Sequence, residues 1–106
     1  MATLADLIGS YPLDWDIQYR IHVTQRMFQR DISDDEVLTI VASGRIIERY
    51  EEDFPFPSML LNGLTKTGRP LHVVAGIDTA ERRIFIITVY QPDPLRWSDD
   101  FTRRIV

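Results

Sequence analysis

The stretch Leu71-His72-Val73-Val74-Ala75-Gly76-Ile77-Asp78-Thr79-Ala80-Glu81-Arg82-Arg83-Ile84-Phe85-Ile86-Ile87-Thr88-Val89-Tyr90 decides the fold. It holds two runs rich in β-branched residues, Leu71 to Ile77 and Ile84 to Tyr90, each bounded by turn residues, and both read as strands. The connection from Asp78 to Arg83 is too short for the crossover that parallel neighbours need, so the pair is predicted to be antiparallel. Upstream, Met59-Leu60-Leu61 reads as a further strand with Thr67-Gly68 in the hairpin turn that follows it, and Ile46-Ile47 as another. The second half of the chain is therefore expected to form a mostly antiparallel meander of about four strands.

The first half has a different period. From about Asp16 to Gln29, Tyr19, Val23 and Met27 recur every four residues with Ile21 and Phe28 beside them and no glycine or proline, which predicts a helix. A second helix is predicted over 34–43. Ser33 and Glu36 form a capping box, Ile32 and Val37 a hydrophobic staple, Asp34 and Asp35 favour the positive end of the helix dipole, and Gly44 stands where a left-handed cap is expected. Val37, Leu38, Ile40 and Val41 supply its buried stripe. After Pro92, Asp93 and Pro94, Leu95 to Ile105 reads as a short terminal helix with Trp97 and Phe101 four apart. Helices first and strands second is the order of an α+β domain with two helices on one sheet face. The opposite face then meets water, a partner or a ligand.

At 106 residues one domain is expected, able to hold a core without staples. Cysteine is absent, which removes disulfides, thiol catalysis and cysteine-ligated zinc and fits a reducing cytoplasm. No cationic region followed by an apolar stretch opens the chain, and no uncharged run approaches the roughly 20 residues of a membrane span, so neither secretion nor a membrane is expected. The net charge of −4 opposes simple nucleic-acid binding, which draws affinity from a basic surface. Lys66 is the single lysine among 12 basic residues; the rest are arginine, whose planar fork suits carboxylate or phosphate.

His22, Arg26 and Arg30 recur every four residues and would line one side of the first helix. They read either as a phosphate clamp with an acid or base beside it, or as a solvated face paired with Asp31, Asp34 or Asp35. His72 sits inside an apolar strand just after Arg69-Pro70-Leu71, either buried and hydrogen-bonded or aimed at a cleft. The buried, structural reading is the commoner one for such a histidine, while the arginines beside both histidines favour their meeting around one anionic ligand. Tyr90 is a third proton-bearing group, or an aromatic that closes the core. Phe54-Pro55-Phe56 would stack a base, dock a partner or fill the core edge. Neither a metal-ligand pattern nor a glycine-rich phosphate loop is present, and no cofactor is implied. Asp93, Asp99 and Asp100 read as turn and capping residues.

Taken together, His22-Val23-x-x-Arg26-Met27-x-x-Arg30-x-Ile32-Ser33, Gly68-Arg69-Pro70-Leu71-His72-Val73-Val74 and Ile87-Thr88-Val89-Tyr90-x-Pro92-Asp93 with Trp97 resemble the bacterial domain-of-unknown-function family numbered four-two-five-eight. The likeness spans about residues 16–104, leaving 1–15 as a variable extension. That family is similar to the RelE, ParE and BrnT group of toxins, small domains with helices packed against an antiparallel sheet, some of them partnered by zinc-finger or helix-turn-helix antitoxins. The resemblance implies a toxin-like, metal-independent ribonuclease: His22 and His72 as proton-transfer candidates, Arg26, Arg30 and Arg69 as phosphate or RNA ligands, and Tyr90 as a supporting donor. The alternative on the same scaffold is a non-catalytic binding or regulatory module, such as a degenerate toxin or a homodimer formed through uncovered sheet face and strand edges.

Overall fold

The computed structural model describes residues 1–106. Its elements are α1 (Leu4–Ile8), a 3-10 turn (Pro12–Asp14), β1 (Asp16–Tyr19), α2 (Ile21–Gln29), α3 (Asp34–Ser43), β2 (Arg45–Tyr50), β3 (Ser58–Leu64), β4 (Pro70–Asp78) and β5 (Arg83–Tyr90). The fold is α+β, as the order of periods implies. The strands form one sheet in the order β1-β5-β4-β3-β2, with β2 to β5 an antiparallel meander.

The fifth strand, β1, is a correction to the sequence reading. Asp16 to Tyr19 do not begin the first helix; they pair in parallel with Arg83 to Ile86 at the sheet edge. Tyr19 shares the four-residue spacing of Val23 and Met27, but Ile17 and Tyr19 also alternate with exposed Asp16 and Gln18, and a free β5 edge selects the two-residue period. The remainder of the predicted helix stands as α2, burying Val23 and Met27 and exposing Ile21 and Phe28.

α3 has the predicted bounds, with the reciprocal Ser33–Glu36 box in place and Ile32 and Val37 both buried. Its C-cap differs from expectation, because Gly44 is extended (φ −66°, ψ 159°) rather than left-handed. Glycine is needed there for space: a Cβ would lie 2.6 Å from the Ile40 carbonyl oxygen and 3.2 Å from that of Asn62. Gly68, in the β3–β4 hairpin, does take the left-handed conformation (φ +86°) that favours glycine.

Strand alternation sends Leu71, Val73, Ala75 and Ile77 of β4 toward the helices, where they join one core of 18 buried residues. Leu4 of α1 belongs to that core, so the first residues are packed into the domain. The opposite face carries His72, Leu60, Glu48 and Tyr90, and residues after Pro92 fold over part of it. The predicted terminal helix does not form. Instead, Trp97 bridges to Arg104, and the Asp100 carboxylate accepts from the Ser98 hydroxyl and from the amide and hydroxyl of Thr102. These short polar side chains offer the backbone local bonds that compete with a helix. The same bonds hold the Asp100 carboxyl down at about 2.

Candidate functional site

β1 stops at Tyr19, opposite Ile86, and the Arg20 amide donates to the Ile86 carbonyl at 3.1 Å. Beyond that point the outer edge of β5 has no strand beside it, and α2 runs there instead. Between them lies a groove of about 290 Å³ lined by His22, Val23, Arg26, Arg30, Ile87, Thr88 and Val89. The four-residue spacing of His22, Arg26 and Arg30 along α2 brings all three to it, as the helical period requires. Arg30 Nη1 donates to the Val89 carbonyl at 2.7 Å, which anchors its fork at the strand edge and leaves other N–H groups for a ligand. Neither Arg26 nor Arg30 has a carboxylate partner, so the solvated pairing with Asp31, Asp34 or Asp35 is not what the fold adopts. Asp34 instead accepts from the Tyr19 hydroxyl, and burial, helped by that bond, pushes the phenol well above its ordinary range.

The other sequence-derived candidates lie elsewhere. His72 is on the sheet face opposite the helical core, fully buried, so the two histidines do not meet around one ligand. Trp97 packs edge-on against the His72 ring with centroids 4.4 Å apart. His72 Nε2 is 2.8 Å from the Phe101 carbonyl oxygen and Nδ1 is 3.1 Å from the Tyr90 hydroxyl. A neutral ring donating from Nε2 and accepting at Nδ1 satisfies both contacts. Burial lowers the His72 pKa below its ordinary 6.5 and raises that of Tyr90.

Arg69 also has work within the fold. Its Nε donates to the Gln91 side chain at 3.0 Å, Nη2 to the Arg30 carbonyl at 2.9 Å, and Nη1 to the Asp31 carbonyl with Glu36 at 3.4 Å. The guanidinium thus ties the α2–α3 junction to the sheet through several of its five donors.

Glu48 and Arg104 carry no signal that sequence reading could use. Arg104 forks onto Glu48 at 2.9 and 3.1 Å while covering the Trp97 ring, so the terminal segment is clamped to β2. That pairing draws the Glu48 carboxyl below its ordinary value. The sequence separation of 56 places the contact beyond any local pattern. No three histidine or carboxylate side chains converge in an arrangement that would hold a metal ion. No helix is long and apolar enough to cross a membrane.

Residues 19–91 match the family model described as Domain of unknown function (DUF4258), and the chain belongs to that family. No curated protein and no solved structure matches it.

Proposed function

We propose that this DUF4258 domain takes an RNA phosphodiester into the α2–β5 groove and cleaves it without a metal, as a cytoplasmic toxin-like ribonuclease. The observation that supports this reading is the convergence of the chain's one exposed histidine with two arginines free of carboxylate partners on a single open groove. In the reaction, His22 takes the proton of a 2′-hydroxyl as its oxygen attacks phosphorus. The bond from phosphorus to the 5′-oxygen breaks, a 2′,3′-cyclic phosphate forms, and the leaving oxygen takes a proton from solvent or from the imidazolium just formed. Arg26 and Arg30 hold the charge that builds on the phosphoryl oxygens. His72, Tyr90 and Arg69 act by positioning, since their polar atoms are engaged within the fold. A neighbouring antitoxin would inhibit by covering the groove with carboxylates. A second copy of the chain is the other partner the scaffold suggests.

A non-catalytic binding module is the second reading, and the sealing of His72 favours it by leaving one titratable side chain in the groove. Inducible expression in a bacterial host, following growth and total RNA, separates the two. The ribonuclease reading expects arrest and RNA fragmentation by the wild type. It expects His22→Ala, folded by circular dichroism, to lose about 100-fold or more of the cleavage rate. Intact RNA with soluble, folded wild-type protein would remove the ribonuclease and leave the module.

A further inference from the structure

Near neighbours in sequence of the groove lining lie on the outer sheet face. Gln18 and Arg20 flank Tyr19 and so point away from the core, and the Arg20 guanidinium lies 5.0 Å from the centroid of the Phe85 ring. Phe56, from the β2–β3 connection, stacks parallel to Phe85 with centroids 5.5 Å apart and planes 7° apart. The adjoining Phe54 is 95% exposed. Two residues after Arg20 the helix presents His22 to the groove, and two residues after Phe85 the strand presents Ile87 to it. Arg20 has no carboxylate partner, whereas Arg83, also over Phe85 at 5.4 Å, is bound to Asp78. Aromatic rings and a planar cation free of a carboxylate partner thus stand two residues along the chain from the lining of the cationic groove.

Resting on the reading of the groove as a phosphate site, we infer that Arg20, Phe85 and Phe56 form a base-stacking platform, which makes the ligand single-stranded RNA. The exposed Arg20 plane and the Phe56 ring are the stacking surfaces, Phe85 holds both in place, and the groove takes the phosphates that follow. Bases in a duplex are already stacked and paired, so only an unpaired strand can offer them to the platform while its backbone enters the groove. Such stacking tolerates any base, so discrimination falls between single and double strands more than between sequences.

The test uses fluorescence anisotropy with the full chain and 2′-O-methyl strands of about 10 nucleotides, which cannot be cleaved because the 2′-oxygen has no proton to give. Oligo(A) is expected to bind at least about fivefold more tightly than an abasic strand of equal charge or a matched duplex. Arg20→Lys keeps the charge and removes the plane. It should lose about the same factor on oligo(A) and leave the abasic strand unchanged. Equal binding of oligo(A) and the abasic strand would overturn the platform and leave the groove standing. Binding of neither would overturn the groove reading and the platform with it.

Discussion

Tyr90 and His72 face each other across the β4–β5 ladder, and the tyrosine hydroxyl lies 3.1 Å from His72 Nδ1. A tyrosine hydroxyl accepts from a protonated Nδ1 as readily as it donates to a bare one, so it is burial, which lowers the His72 pKa, that favours the bare nitrogen. The Phe101 carbonyl on the other nitrogen requires that nitrogen to carry the hydrogen. His72 is consequently folded as the neutral imidazole, under a lid of Trp97 and the chain around Asp100.

Stability should depend on this state in acid. The folded pKa of His72 is lowered by burial from the ordinary 6.5, so on acidification the unfolded chain binds the proton first. The contribution is complete above about 6.5 and declines as pH falls from there toward the lowered folded value. The depressed carboxyls of Glu48, Asp78 and Asp100 act in the same direction, in a lower window starting from ordinary values of 4.5 and 3.8. Urea midpoints measured at about pH 7.5 and pH 5.5 should fall for the wild type and stay level for a folded His72→Gln variant. A wild-type midpoint independent of pH in this range would contradict the neutral buried ring.

Trp97→Ala should open the lid. Removing a ring that is 5% exposed is expected to cost about 3 kcal/mol where the segment stays docked, and less where it frays. The sharper readout is the His72 ring followed by NMR titration, whose pKa should move up toward 6.5 once water reaches it.

Arg69→Ala should loosen the α2–α3 junction rather than a ligand site. Two carbonyls and the Glu36 carboxylate lose a shared donor, a loss of about 1–3 kcal/mol by thermal or chemical unfolding. Arg69→Lys should recover little, because an ammonium cannot reproduce the fork. A stable Arg69→Ala protein that had lost RNA affinity alone would reverse this assignment.

Gly44→Ala should destabilise by about 1–3 kcal/mol. The new methyl meets the Ile40 carbonyl at 2.6 Å, and that oxygen is fixed by the Gly44 amide at 2.7 Å. A variant as stable as the wild type would show that the end of α3 can shift away from β3.

The parts legible in the sequence are those made by neighbours along the chain. Ser33 and Glu36 are three residues apart and form their box as read. Thr67-Gly68 turns β3 into β4, and His22, Arg26 and Arg30 reach one groove because their spacing follows the helical turn. β1 was less legible, since Ile17 and Tyr19 fit both periods and only the vacant edge of β5 separates them. The role of Gly44 is not legible locally, because its constraint comes from Asn62 on another strand as well as from its own helix.

Local propensity and hydrophobic period therefore determined the α+β class, the bounds of α3, the antiparallel meander and the cationic side of α2. The tertiary structure decided what lies above and below each element. Alternation along β4 assigns His72 to the face away from the helical core, but its burial depends on residues 97–104 folding back, held by Arg104 on Glu48 and Phe101 on His72. The same is true of Arg20 over Phe85 and Arg30 on Val89, where the partners are separated by more than half the chain. Such contacts form only when the whole core has closed, because the loop entropy they require is offset by burial elsewhere and leaves no trace in local spacing.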